Sequence, residues 1–273
     1  MMKQRVLTGA LLSLTALVLL WIGGVVLSVA AATIICAGLW EEFHALAQAG
    51  HRPVAWPTWV AVALSPVMML DSDKTMLPLL FVTCLLTLAC VIFRQEPRVE
   101  DAAMSLLPMF TVLLPGLLVI AIVHVEPRQL QWTLLAILVA VPCLGDVFAM
   151  LVGSRLGGPK LCPAVSPRKT ISGAIGGLCG SVLAALIVCA AAAILCRSHV
   201  RELLPSWPEY LLIGFIGGAV SQLGDLCFSL IKRHCGIKDY SNLFPGHGGM
   251  LDRLDSILFM ALVVFSYYLI AYL

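Results

Sequence analysis

Charge is what this chain has least of. Only 12% of its 273 residues are Asp, Glu, Lys or Arg, about half the share of an ordinary soluble domain. Apolar residues make up 60%, and the mean hydropathy is +1.00. A compact water-soluble globule cannot hide that much apolar surface, so lipid must be the solvent for much of the chain. Basic runs are missing too, and the net charge is only +2, which gives a nucleic-acid partner no footing. The ten cysteines form no CxxC pair and show no Cys/His metal spacing. Scattered singly through apolar stretches (Cys36, Cys84, Cys90, Cys143, Cys179, Cys189 and Cys227 among them), they read as small buried apolar side chains, not as a disulfide framework. There is no Gly/Ser-rich linker, low-complexity tract or internal repeat.

What is present in quantity is long apolar runs. Stretches of roughly the 17–25 residues that cross a bilayer fall at 6–21, 24–40, 54–70, 75–93, 104–124, 131–152, 171–196, 210–231 and 256–273. The expectation is an all-α, polytopic transmembrane helical bundle of about nine membrane helices. Only Gly23-Gly24 breaks residues 6–40, so an eight-helix count with a merged first span stays open. The basic start and apolar run of MMKQRVLTGALLSLTALVLLW resemble a signal peptide, but hydrophobic spans continue to the last residue, so this segment reads as the first membrane helix.

Basic residues sort by side. With the N-terminus inside, the inner segments hold Lys3, Arg5, Arg52, Arg94, Arg98, Arg155, Lys160, Arg168, Lys169, Lys232, Arg233, Lys238 and Arg253, while the outer loops hold only Lys74, Arg128, Arg197 and Arg201. Thirteen against four is a strong bias. Both long polar segments, 153–170 and 232–255, fall inside, which is where chemistry should be sought.

Three constellations carry that chemistry. In SLIKRHCGIKDYSNLFPGHGGMLDRLDS (229–256), Pro245-Gly246 marks a turn and Gly248-Gly249 removes side chains where a helix should begin. Free N–H groups at that helix start would suit phosphate oxygens, and Asp252 and Asp255, three apart, share one face of the first turn. Acids and bases around a glycine turn suit phosphate plus a divalent metal; the bland alternative is a hydrated loop with capping Asp residues. Upstream, Ser221, Asp225 and Ser229 form a polar stripe on an apolar helix, with Gln222 beside it. A lone carboxylate in hydrocarbon costs on the order of 2.5 kcal/mol or more, so Asp225 should face metal, water or a neighbouring base. The third constellation, 144–173, sets Asp146 late in a span and follows it with Gly153, Gly157, Gly158 and Lys160. Ser166 to Thr170 then precede a helix start, where hydroxyls cap the first turn and Arg168 and Lys169 can reach an anion.

These strings resemble the signature of the phosphatidate cytidylyltransferases: S-x-x-K-R, K-D, P-G-H-G-G and D-R-x-D across 229–256, with Q-x-G-D at 222–225, K-L-x-P-x-x-S-P-x-K-T at 160–170, and Asp146. Arg5 and Trp40-Glu41 are weaker likenesses. The resemblance is strong over 144–256 and elsewhere rests on length and hydropathy. It implies N-terminal transmembrane helices over 1–130 and a C-terminal transmembrane catalytic region over 131–273. The implied activity makes CDP-diacylglycerol and pyrophosphate from CTP and phosphatidic acid, on the cytoplasmic side of a bacterial inner membrane. Asp225 and Asp252 would hold Mg2+, with room for a second cation, supported by Asp255 and more weakly by Asp146. Lys169, Lys232, Arg233, Lys238 and Arg253 would hold phosphates, Gly248 and Gly249 would lend backbone contacts, and His247 would bind. Ser166, Arg168, Thr170, Gln222 and Ser229 complete the substrate-binding set. Three distant segments would thus share one pocket; oligomeric state, a homodimer included, stays open.

The chain departs from the family pattern in three places. Phe228 stands where D-L-x-E-S has Glu, Ser172 where K-T-W-E-G has Glu, and Met150 where D-x-x-A-Y has an aromatic. Three other readings remain: a CTP-using enzyme for another lipid phosphate, an ion-coupled transporter, and an impaired relative that Phe228→Glu would restore.

Overall fold

A computed structural model describes residues 18–68, 75–195, 203–244 and 248–272. The first expected span lies almost wholly outside these, as do Arg5, Pro245, Gly246 and His247. The helices are α1 (Gly24–Gln48), α2 (Trp56–Met68), α3 (Met76–Ile92), α4 (Val99–Pro108), α5 (Leu114–Val123), α6 (Arg128–Leu156), α7 (Ile171–Leu195), α8 (Trp207–His234) and α9 (Leu251–Tyr272). Within the described residues every expected span from residue 24 onward falls on helix. Among the described residues six helical stretches, with α4 and α5 counted as one, are long and apolar enough to cross a membrane. Among the described residues α3 is apolar but shorter, and α2 is described for 13 residues. The count of nine is therefore an upper reading of the hydropathy, while the all-α membrane architecture holds. Large side chains such as Phe81, Ile194, Leu195 and Ile270 stand 65–86% exposed on the helix flanks, which suits lipid and not water.

The expected span 104–124 is not one regular helix. Between α4 and α5 lies a π-turn, Met109–Leu113, where the Leu114 N–H reaches back to the Met109 carbonyl. Pro115 has no N–H to offer the Thr111 carbonyl four residues earlier, and the ladder loosens by one residue ahead of it.

The chain forms two compact units, Met1–His124 with Ile231–Leu254, and Val125–Leu230 with Asp255–Leu273, so α8 and α9 each contribute to both. In the first, Leu39, Leu46, Val62, Leu113, Leu117 and Ile120 are fully buried. In the second, α6 and α7 pack closely because small residues face each other. A Cβ on Gly176 would lie 2.5 Å from Val152, one on Gly180 2.6 Å from Phe148, and one on Gly145 within 2.4 Å of Ser181 Oγ. Apolar packing of this small-residue type is what holds helices together in lipid, where no hydrophobic drive separates helix from solvent. Gly214 and Gly218 of α8 repeat the device against Val182 and Ser181 of α7.

Between α6 and α7 the chain forms an antiparallel hairpin, β1 (Lys160–Cys162) with β2 (Ser166–Thr170). Gly157 (φ 61°) and Gly158 (φ 106°) turn the chain out of α6 with a backbone that a side chain would strain. Thr170 Oγ1 accepts the Gly173 N–H at 3.1 Å, so the expected hydroxyl cap on α7 is present.

Candidate functional site

The hairpin roofs a cavity of about 490 Å³ in the second unit, lined by Asp146, Met150 and Gly153 of α6, by Gly157, Gly158 and Lys160 of the turn and β1, by Arg168, Lys169 and Thr170 of β2, and by Gln222 and Asp225 of α8. The Lys169 ammonium forms an ion pair with Asp225 Oδ2. Ser229, one turn on, donates to Asp225 Oδ1 at 3.3 Å, so the stripe expected on this helix is real and leads into the cavity. Ser221 Oγ, at the other end of the stripe, is buried and has no hydrogen-bond partner among the described residues. Gln222 donates to the Ala174 carbonyl at 3.1 Å, tying α8 to α7 beneath the hairpin. Arg168 is exposed on the strand and Ser166 half-buried at its start.

Chemically, this cavity can receive a phosphate and a cation together. Lys160, Arg168 and Lys169 provide positive charge at its rim, while Asp146 and Asp225 provide two carboxylates. One or two carboxylates completed by substrate phosphates and water is the usual way a protein binds Mg2+, and these donors fit it. Among the described residues no three His, Cys, Asp or Glu side chains gather to hold a metal by themselves.

The departures from the motif now have positions. Ser172 donates to the Gly157 carbonyl and bonds Thr170 Oγ1 at 3.1 Å, closing the neck of the hairpin where an acid would have stood. Met150 lines the cavity. Phe228 is fully buried and meets the Phe259 ring edge-on, with centroids 6.1 Å apart. A glutamate there would face a phenyl ring.

The first unit holds the glycine loop. Lys232, 8% exposed, donates to Asp252 Oδ1 at 2.8 Å and lies 5.6 Å above the Tyr240 ring. Asp252 Oδ2 accepts two backbone N–H groups, from Tyr240 and Gly249, both at 2.9 Å. Glu41 of α1 completes the arrangement. Its carboxylate accepts the Met250 and Leu251 N–H groups at 2.8 Å each and the Ser241 hydroxyl at 2.5 Å. The expectation of free N–H groups awaiting phosphate at the start of α9 is therefore corrected: the N–H groups of Gly249, Met250 and Leu251 all point at the chain's own carboxylates. Asp252 likewise has three N–H partners, and a metal ligand role for it would be in exchange with them.

Gly248 adopts φ +82°, and its carbonyl accepts the Phe244 N–H at 3.0 Å. Arg233 donates to the Ile237 carbonyl at 3.1 Å, while Lys238 and Arg253 are exposed. Asp255, which belongs to the second unit, accepts the Ser256 N–H at 2.8 Å. The residue that sequence reasoning undervalued is Glu41. Its signal was a pair of acids, Glu41-Glu42, at the end of an apolar span, a placement that lipid penalises unless the carboxylates are engaged.

Compared with known proteins, residues 3–271 match the model of the cytidylyltransferase family. A Brucella abortus protein named phosphatidate cytidylyltransferase is 30% identical over 268 residues, covering 97% of this chain and 93% of its own. The protein of that name from Synechocystis is 31% identical over 299 residues, covering 98% and 96%. That from Bacillus subtilis is 29% identical over 279 residues, covering 99% and 98%.

Proposed function

This chain belongs to the cytidylyltransferase family, and from that premise we propose that it transfers the cytidylyl group of CTP to phosphatidate, making CDP-diacylglycerol and pyrophosphate for phospholipid synthesis. The observation that carries the reading is full-length likeness to phosphatidate cytidylyltransferases in a chain whose hairpin cavity brings the cations Lys160, Arg168 and Lys169 together with the carboxylates Asp146 and Asp225.

A phosphate oxygen of phosphatidate attacks the α-phosphorus of CTP. The bond from that phosphorus to the bridging oxygen breaks, and pyrophosphate leaves with the electron pair. The attacking group is a phosphate monoester, already anionic near neutral pH, so no side chain has to remove a proton. What remains for the protein is alignment and neutralisation of charge spread over the phosphoryl oxygens. Lys160 and Arg168 draw the phosphates to the cavity, and Lys169 exchanges Asp225 for a phosphate oxygen. Mg2+ held by Asp225 and Asp146 would withdraw further charge from those oxygens. By the motif they share with the family, Lys232, Arg233, Lys238 and Arg253 of the first unit would bind phosphate, while Asp252 orders the loop between α8 and α9.

A lipid substrate explains why polar residues sit at the ends of apolar helices: the acyl chains stay in the bilayer and the headgroup meets soluble CTP. Thirteen basic residues against four favour a site on the cytoplasmic face of the membrane. The test uses purified protein in phosphatidate vesicles with Mg2+ and labelled CTP. Label should enter a lipid, and Asp225→Asn should cut the rate by about 10³-fold or more. Label transferred only to another lipid phosphate would refute the substrate; no transfer would refute the reaction.

A further inference from the structure

We propose that Glu41 is a positioning residue for this reaction, setting the conformation of the glycine loop from a helix about 200 residues away in sequence. The inference rests on the function proposed above. Glu41 is 1% exposed, yet among the described residues it has no ion-pair partner; its charge is met by two backbone N–H groups and one hydroxyl. These three donors lie at the two ends of the loop, Ser241 at its start and Met250 and Leu251 at its finish. Asp252 makes a parallel closure shifted by one residue, through Tyr240 and Gly249. Together the two carboxylates draw the ends of the 240–251 segment into one knot, and Asp252 also holds Lys232.

A second observation points the same way. A Cβ on Gly249 would lie 2.5 Å from Glu41 Oε1 and 2.7 Å from Oε2. Those atoms are fixed by their hydrogen bonds and cannot swing aside. Gly249 is thus required because Glu41 is there. Two parts of the chain that look unrelated in sequence, an acid at the inner end of α1 and a glycine pair before α9, are one device. Misplacement of about 1 Å at distance from the chemistry can cost on the order of 10²-fold in rate, and a carboxylate accepting from two successive N–H groups has no equivalent among neutral side chains. Glutamine at 41 keeps one acceptor oxygen and turns an NH2 group towards an N–H.

The test compares Glu41→Gln, Glu41→Asp and Ser241→Ala with the wild type, full-length in phosphatidate vesicles. It reads kcat and KM for both substrates, thermal melting, and amide exchange. For Glu41→Gln we expect kcat to fall roughly 10²-fold with both KM values within about threefold, the pattern of a group acting on the transition state. Melting should move little, exchange at Met250 and Leu251 should quicken, and exchange across the 160–170 hairpin should stay unchanged. Ser241→Ala should cost only a few-fold. Wild-type turnover with quickened exchange at 250–251 would overturn the proposal, as would a loss of activity that merely tracks a fall in melting temperature. If Glu41→Gln does not fold, Glu41→Asp is read in the same way, and failure of both to fold makes Glu41 a folding residue and overturns the proposal. A wild type inactive on CTP and phosphatidate refutes the reaction instead; unchanged exchange at 250–251 in Glu41→Gln would then overturn the clamp separately.

Discussion

Replacing Asp225 separates a scaffold from a reacting group. Its ion pair with Lys169 is about a quarter exposed, with side chains 29% and 23% accessible. Breaking a fully buried pair costs about 3–5 kcal/mol and an exposed one about 0–1, so Asp225→Asn should cost about 1–2 kcal/mol of stability. Asparagine still accepts from Ser229, which keeps the helix end in order. Lys169→Met should cost a similar amount by leaving the carboxylate alone. The double variant leaves no stranded charge, so it should be more stable than the sum of the single losses, by a coupling of about 1 kcal/mol. Activity should follow another rule. If both groups meet substrate or cation, each single variant loses on the order of 10³-fold, about 4 kcal/mol of barrier, and the double variant recovers nothing. Melting curves in detergent and labelled-CTP transfer in vesicles give the two quantities from one preparation. Activity restored in the double variant would refute the reasoning, for the pair would then be holding β2 to α8 and nothing else.

Other expectations follow from packing. Phe228→Glu puts a carboxylate against Phe259 in a fully buried position; it should destabilise by roughly 3–5 kcal/mol and not raise turnover, which a melting curve and an initial rate will show. Gly176→Ala brings a methyl within 2.5 Å of the Val152 Cβ, so α6 and α7 must part and stability should fall by about 1–3 kcal/mol, read as a lower melting temperature. Thr111→Val removes the hydroxyl that bonds the carboxyl of fully buried Glu42, 2.9 and 2.8 Å from its two oxygens; leaving that carboxyl unmet should cost about 1–3 kcal/mol, measured in the same way.

Much of this molecule is visible in its hydropathy, because a bilayer demands long helices that satisfy their own backbone. The hairpin at 160–170 was not: strands of three and five residues with a proline between polar groups carry no period-two pattern to read. The π-turn before Pro115 was equally hidden, since hydropathy does not register a one-residue slip. The motif residues near Lys169 and Asp225 were legible as chemistry, and the structure adds their pairing within one cavity. Around Asp252 spacing misled. Gly249, Met250 and Leu251 look like open phosphate donors until Glu41 arrives from another helix, and no local pattern reveals a partner 209 residues distant.

The most direct test of the account follows the oxygen. Phosphatidate carrying heavy oxygen on its phosphate, incubated with CTP, Mg2+ and the purified chain, should yield CDP-diacylglycerol that keeps the label and pyrophosphate that has none. Label in the released pyrophosphate, or cytidine nucleotide released without any lipid product, would contradict it.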